Sequence, residues 1–297
     1  MEFKPLHTFV EVVRQGSFSK AAELLFTTQS TVSKAIKQLE DELGLPLIER
    51  FKKRNVPTKA GEIVYHRGLK LIAERDDLLK ELDEIRGLKQ GRLRLGISPV
   101  GSSTLFAPLF ARYNQLYPGI EVELIEHGSD KLAECLRAGD IDFAGTLLPI
   151  PEEFDCQPIR SEPLVALLAS NHPLATKHSV SLSELKEIPF ILFGSGFALH
   201  RMIMDASQQI GFEPKIVAQS SQIDFMLELV SAGLGVTFLP RMIAMQRQHI
   251  QIHSLLLKEK ELQWNMAMTW RRNAYLSEAA KAWLALVREV HVNHQRR

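Results

Sequence analysis

Gly16-Ser17-Phe18-Ser19-Lys20-Ala21-Ala22-Glu23-Leu24-Leu25 and, after a three-residue gap, Gln29-Ser30-Thr31-Val32-Ser33-Lys34-Ala35-Ile36-Lys37-Gln38-Leu39-Glu40 decide how the rest of the chain is read. Gly16 ends an incoming helix in which Leu6, Phe9, Val10 and Val13 recur at helical spacing. Ser19 is expected to cap a second helix carrying Ala21, Ala22, Leu24 and Leu25. Thr27-Thr28 supplies a polar turn. A third helix then presents Val32, Ile36, Leu39 and Leu43 on its apolar face and stops at Gly44. Two helices joined by a short turn, the second rich in small polar and basic side chains, describe a helix-turn-helix. The second helix of such a pair lies in the DNA major groove with its first turn at the base edges. Here that turn offers Gln29, Ser30, Thr31 and Ser33, followed by Lys34 and Lys37. Glutamine can pair bidentately with adenine, lysine can donate to guanine, and a threonine methyl can touch thymine. Thr28 reads as an N-cap or a phosphate contact.

The flanks extend this picture. Leu47-Ile48-Glu49 and Val56-Pro57-Thr58 are short extended pieces separated by Arg50-Phe51-Lys52-Lys53-Arg54, a hairpin with a basic tip. Pro57 restricts its piece to an edge strand, since it cannot donate to a ladder. Lys52, Lys53 and Arg54 would act as a wing over neighbouring backbone or minor groove. Taken singly, a Thr/Ser cluster is a cap and a basic loop is solvated; their order and spacing together favour DNA contact. A long helix follows from Thr58, its N-cap, to about Leu88. Val64, Leu71, Leu78 and Ile85 fall seven apart with Tyr65, Ile72 and Leu79 beside them. Such a stripe needs a partner. The helix is read as a dimerisation element, with a core helix of one domain as the alternative, and Gly87 and Gly91 mark a hinge.

From Arg92 onward strands and helices alternate. Strands are expected at 93–97, 122–125 and 142–145, with helices near 105–117 and 130–138. A second set comprises 163–169, 190–193, a helix near 199–210, 215–218 and 236–238. The alternation implies a mainly parallel sheet with helices on both faces.

Composition bounds the remaining classes. The chain has 297 residues, 36 basic against 35 acidic side chains and a net charge of +1, so its basic charge is informative only in being clustered early. No apolar run approaches the ~20 residues of a membrane span. The Met1-Glu2-Phe3-Lys4-Pro5 start lacks the features of a secretory signal. Two cysteines, Cys135 and Cys156, make no disulfide framework and read as small buried hydrophobes, which fits a reducing cytosol.

The sequence resembles the LysR-type transcriptional regulators over essentially its whole length. The resemblance is densest in Phe9-Val10-Glu11-Val12-Val13 and the two stretches quoted first, and continues through Leu43-Gly44-Leu45-Pro46-Leu47-Ile48-Glu49-Arg50 and Thr58-Lys59-Ala60-Gly61. Three departures stand out: Ser30 where the family often has Pro, Lys34 where it often has Arg, and Pro57 at a commonly apolar wing position. Lysine keeps the charge of arginine without its bidentate fork, so base preference at that contact is altered or relaxed. Farther on the family pattern extends to Pro118-Gly119-Ile120-Glu121-Val122, Leu136-Arg137-Ala138-Gly139-Asp140-Ile141-Asp142 and Val230-Ser231-Ala232-Gly233-Leu234-Gly235-Val236. The resemblance implies an α+β and α/β chain in three parts. Residues 1–58 form a winged helix-turn-helix, 59–90 a linker helix and hinge, and 91–297 an effector domain like the two-lobed periplasmic-binding-protein fold. Lobe one would be about 91–162 with 268–297, lobe two about 163–267, with a ligand cleft at the hinge between them.

The cleft can also be argued physically. Ser98-Pro99-Val100-Gly101-Ser102-Ser103 follows a strand and opens a helix, and Phe193-Gly194-Ser195-Gly196-Phe197 does the same in the second lobe. Helix N-termini favour anions, and ligands of parallel sheets sit beyond strand C-termini. Ser129, Thr146 and Gln222 hold comparable positions, and Arg201 could pair with an anion. Plain helix capping is the competing account of each residue. The expected ligand is a small, anionic metabolite such as an organic acid.

No catalytic constellation is found. Gly233-Leu234-Gly235 lacks the third glycine of a dinucleotide motif and follows a helix. Gly194-Ser195-Gly196 lacks the spacing of a nucleophile elbow. His249 and His253 flank an expected strand, and His291 and His294 sit in a solvated tail, so neither pair is read as a metal site. No cofactor is expected. The reading is a cytoplasmic, non-enzymatic regulator acting as a homodimer built into a homotetramer. It binds pseudo-palindromic double-stranded DNA and a small-molecule effector, contacts RNA polymerase if it activates, and has no membrane partner. Its rivals are a small-molecule receptor whose N-terminal module mediates protein contacts, and an α/β enzyme.

Overall fold

A computed structural model describes residues 2–51, 54–85, 91–247 and 249–295. The chain divides into two compact units, the first made essentially of the N-terminal helices and the second essentially of the α/β region.

In the first unit, α1 (Phe3–Gln15) buries Leu6, Phe9, Val10 and Val12 and ends on Gly16 in the left-handed region, φ 59°. Helix α2 (Phe18–Leu24) starts earlier than expected. Ser17, extended at φ −152°, caps it by accepting the Lys20 N–H, so Ser19 lies inside the helix and is not the cap. The end of α2 is closed by two bonds, Thr27 N–H to Ala22 O at 2.9 Å and Phe26 N–H to Glu23 O at 3.2 Å. Helix α3 (Gln29–Leu43) is capped by Thr28, buries Val32, Ile36 and Leu39, leaves Leu43 at the surface, and ends on Gly44 at φ 69°.

Strands β1 (Ile48–Phe51) and β2 (Arg54–Pro57) pair antiparallel from Ile48–Pro57 to Phe51–Arg54. They therefore run into the basic segment instead of being separated by all of it. Glu40 Oε1 accepts the N–H groups of Leu47 and Ile48 at 2.7 and 3.3 Å, fixing the hairpin to α3. Helix α4 (Lys59–Ile85) is capped by Thr58, whose Oγ1 accepts the Gly61 N–H and donates to Pro46 O. Its 27 residues span about 40 Å at 1.5 Å per residue. A Cβ on Gly61 would lie 2.1 Å from Leu47 O, which requires glycine at this helix–hairpin contact. Leu69 and Ala73 are buried, whereas Ile63, Leu71, Leu78, Leu79, Leu82 and Ile85 are exposed. The expected hinge residue Gly87 and the expected helix end Leu88 lie outside the described residues.

The second unit contains β3 (Arg92–Ile97), α5 (Ala107–Leu116), β4 (Glu121–Glu126), α6 (Ser129–Ala138) and β5 (Phe143–Leu147). They are followed by β6 (Phe154–Ala169), β7 (Ser179–Val180), β8 (Phe190–Leu192), α7 (Ala198–Gln209), β9 (Ile216–Gln219) and α8 (Ile223–Ser231). The chain closes with β10 (Thr237–Pro240), α9 (Arg241–Gln246), β11 (Ile252–Leu257), β12 (Gln263–Arg271) and α10 (Glu278–Gln295). A widened turn over Ser102–Phe106 opens into α5, with the Ala107 N–H donating to Ser102 O.

The large sheet has strand order β4-β3-β5-β12-β6-β11-β7, with β10 also on β6. It is mixed, not mainly parallel. β3 pairs parallel with β4 and β5, but β12 is antiparallel to β5 and β6, and β10 and β11 are antiparallel to β6. The physical reason is the 16-residue β6. Its first part, Phe154 to Pro163, pairs with β12, and its last part, Leu164 to Ala169, pairs with β10 and β11. β6 thus runs from the β5-β12 side of the sheet to the β10-β11 side, while β8 and β9 pair parallel as a separate two-stranded sheet. The C-terminal residues around His291 and His294 continue α10 rather than forming a loose tail. Trp264, Trp283, Tyr113, Phe143, Phe190 and Phe238 fill the core, and the Tyr113 hydroxyl donates to Ala279 O at 2.8 Å.

Candidate nucleic-acid interface and ligand cleft

At the start of α3 the buried Val32, Ile36 and Leu39 fix one helical face inward. Gln29, Ser30, Thr31, Lys34 and Lys37 are consequently exposed, and Ser33 sits half-buried at the edge of that face. Thr28 Oγ1 accepts the Thr31 N–H at 3.2 Å and lies 2.9 Å from Ser30 Oγ and 2.8 Å from Thr31 Oγ1. The three hydroxyls form a small network at the helix start. Ser19 Oγ reaches Gln29 Oε1 at 3.4 Å, a long bond that leaves the Gln29 amide NH2 group available. Among the described residues neither Lys34 nor Lys37 has an acidic partner within ion-pair distance. Both can therefore meet a phosphate or a guanine without first breaking a pair. Of the wing residues, Arg54 begins β2, while Lys52 and Lys53 lie outside the described residues.

In the second unit a cleft opens where β3, β5, α6 and α7 converge over β12. It is lined by Ser98, Val100, Ser129, Gly145, Thr146, Leu147, Phe197, Ala198, Leu199, Trp264 and Met266. The volume reachable by the centre of a water molecule is only about 10 Å³, room for roughly one water. Two hydrogen bonds bridge its sides. Ser129 Oγ accepts the Ala198 N–H at 3.2 Å, and the Asp130 N–H donates to Gly196 O at 3.2 Å. Deeper in, Thr146 Oγ1 and Thr269 Oγ1 are 2.7 Å apart.

Four of the expected ligand residues line this space: Ser98, Ser129, Thr146 and Phe197. Pro99, Gly101, Ser102 and Ser103 belong to the adjoining turn instead. There Ser102 Oγ donates to Pro99 O, and Gly101 (φ +102°) leaves room for the Trp264 ring, which a Cβ would approach to 2.9 Å. Phe193 is buried with its ring 5.4 Å from that of Phe197, while Gly194 and Ser195 shape the loop without reaching the cleft. Gln222 is exposed at the start of α8. Arg201 does not face the cleft unpaired; its Nη1 lies 2.5 Å from Asp130 Oδ1.

The sequence reading missed Trp264 and Met266 because it placed no strand at 263–271. It stopped one residue short of Ala198 and Leu199, the first residues of α7. Among the described residues no charged side chain lines the space; three hydroxyls and the α7 N-terminus supply its polarity.

Among the described residues no cluster of His, Cys, Asp or Glu could hold a metal, and no helix is long and apolar enough to cross a membrane. His249 lies outside β11, 3.7 Å from Glu228, and His253 is within the strand.

The two parts of the chain each match a family model at the level of sequence. Residues 3–62 match the bacterial regulatory helix-turn-helix protein of the lysR family, and residues 86–291 match the LysR substrate binding domain. The chain belongs to the LysR family. It is a DNA-binding transcriptional regulator with an effector-binding domain, and the family consists of regulators, not enzymes. The HTH-type transcriptional regulator YwbI of Bacillus subtilis is 36% identical over 285 residues, covering 96% of this chain and 95% of the relative. The transcriptional dual regulator GltC of the same organism is 35% identical over 246 residues, 81% of each protein. Among solved structures, full-length BenM has a TM-score of 0.63 at 25% identity, covering 99% of this chain and 98% of that one. CbnR, a LysR family regulator, is alike in fold with a TM-score of 0.63 at 19% identity over 98% of this chain and 99% of that one.

Proposed function

We propose that this LysR regulator binds pseudo-palindromic promoter DNA as a homodimer paired into a tetramer, and that a small organic acid between its lobes switches it. In this reading residues 1–58 bind DNA, 59–90 link and dimerise, and 91–297 bind effector, with lobes at about 91–162 with 268–297 and 163–267. Gln29, Ser30, Thr31, Ser33, Lys34 and Lys37 meet the bases and nearby phosphates. Thr28 orients the helix start, and Lys52, Lys53 and Arg54 hold backbone. The observation that carries this is the start of α3, where the buried Val32, Ile36 and Leu39 force the glutamine and both lysines outward.

The C-terminal part of the α4 stripe, Leu71, Leu78, Leu79 and Ile85, is exposed in a single chain and supports dimerisation through that helix, while Val64, Tyr65 and Ile72 pack on the N-terminal core. The α7 N-terminus supports a carboxylate-bearing ligand, because its first residue lines the cleft and its N–H donates to the Ser129 hydroxyl, an acceptor a carboxylate could replace. The apolar body of that ligand would rest on Trp264, Phe197 and Met266. Effector and DNA communicate only if the ligand binds one arrangement of the tetramer better than another. A regulator that activates would in addition contact RNA polymerase.

The test is selection of genomic fragments by the purified protein at about 0.15 M salt, held fixed because phosphate contacts are steeply salt-dependent. Enrichment of a few intergenic sites with a dyad is expected. Retention no better than random DNA, with and without a panel of organic acids, would overturn the reading.

A further inference from the structure

Phe26 stands between the two helices of the helix-turn-helix, and two independent features set it apart. Its backbone is left-handed, φ 49°, and its side chain is 98% exposed. The Thr27 N–H to Ala22 O and Phe26 N–H to Glu23 O bonds form a Schellman closure with Phe26 at the position where glycine or asparagine is usual. An aromatic side chain there is disfavoured by its own backbone and gains nothing from burial in the free protein. The left-handed backbone closes α2, but the phenyl ring does not serve that closure: Asn would close the same turn without strain and without an apolar surface in water.

Position supplies the missing partner. Phe26 precedes the N-cap Thr28 by two residues, so it is continuous with the exposed start of α3. With α3 in the major groove, the reading proposed above and the one this step rests on, the turn before the helix lies at the rim of the same groove. A phenyl ring makes no hydrogen bond to a base edge, and the apolar group displayed in that groove is the thymine C5 methyl. We infer that Phe26 is a specificity-determining residue that buries its ring against a thymine methyl at one flank of each half-site.

The full-length protein and its Phe26→Asn variant are each used to select from a random-sequence duplex pool at fixed salt. The wild type is expected to retain a motif with a thymine at one flank of each half-site, and the variant the same interior without that preference. In the wild-type duplex each flanking thymine is then replaced by deoxyuridine, which removes only the methyl. Wild-type affinity should fall about fourfold per half-site, the worth of one buried carbon group, and the variant's affinity should not change. The variant should unfold at the same or a higher urea concentration, so that lost affinity is not lost folding. Equal affinity of both proteins for the duplex, or an equal uracil penalty in both, overturns the assignment. So does a variant altered in sedimentation but not in DNA binding, which would make the ring an interface between copies. If neither protein selects any motif, base reading by α3 fails as well, an outcome distinct from loss of one flanking position.

Discussion

The Ser129 hydroxyl oxygen, on the first residue of α6, accepts the Ala198 N–H, on the first residue of α7, at 3.2 Å. Helix α6 thereby caps helix α7. The Asp130 N–H to Gly196 O bond and the Arg201–Asp130 ion pair reinforce the contact. Gly128 permits it, since a Cβ there would sit 2.7 Å from Gly196 O. Under the proposed function a ligand carboxylate would exchange with Ser129 at the same N–H, so the ligand and the α6–α7 contact would compete for one donor.

Replacing Ser129 by alanine removes that acceptor. The expected cost is about 1 kcal/mol, as for other helix caps. Arg201→Ala should cost less, because both partners of its ion pair are half exposed and solvent screens them. Urea unfolding of the two variants ranks them. A Ser129→Ala protein as stable as wild type would show that this bond does not hold α6 and α7 together.

Gln29→Ala and a wing triple substitution, Lys52, Lys53 and Arg54 each to glutamine, should fail differently. Loss of a bidentate base contact costs about 1–3 kcal/mol on the specific site and little on random DNA. Loss of phosphate contacts weakens every sequence and lowers the slope of log K against log salt by about 0.9 for each contact removed. Binding titrations at several salt concentrations on both kinds of DNA separate them. Equal losses for Gln29→Ala on specific and random DNA would remove that side chain from base reading.

Leu71 and Leu78 lie seven apart and are exposed on α4, while Leu69 and Ala73 of the same helix are buried. Leu71→Lys together with Leu78→Lys should leave the folded unit intact and shift the protein toward monomer in sedimentation, with a matching loss of affinity for a dyad site. An unchanged oligomer would place self-association elsewhere.

Much of the N-terminal unit was legible because local rules dominate it, although Leu43, read on the apolar face of α3, is exposed and Leu25 lies just beyond α2. Gly16 and Gly44 do stop their helices in the left-handed region, Thr28 and Thr58 do cap, and Val32, Ile36 and Leu39 are buried. Ser17 displaced Ser19 as cap by a backbone choice that two nearby serines do not announce. The cleft was half legible. Loops after strands could be found from Ser98, Ser129 and Thr146, but its floor, Trp264 and Met266, comes from β12. That strand pairs with partners some hundred residues earlier, β5 and β6. Such long-range antiparallel pairing has no local signature, which is also why the sheet was read as mainly parallel.

Glu184 is held by a cluster of four donors in the second unit. Its carboxylate accepts from Lys177 Nζ at 2.5 Å, Lys258 Nζ at 2.8 Å, the Ser181 N–H at 2.9 Å and the Ser181 hydroxyl at 3.0 Å. The two lysines foremost, then Ser181, hold it well below the usual carboxylate range. A group whose folded pKa is depressed contributes stability that is fully present above its unfolded value, about 4.3 for Glu, and that is lost as pH falls toward the folded value. Glu184→Gln should therefore lower the urea midpoint by a constant amount between about pH 5 and 8, and the gap to wild type should narrow below about pH 4. The effect is modest, because the cluster is solvent-exposed and salt screens it. Added salt should shrink the gap at pH 7 for the same reason. A gap independent of both pH and salt would assign the contribution to the neutral capping bond with Ser181, and not to the lysines.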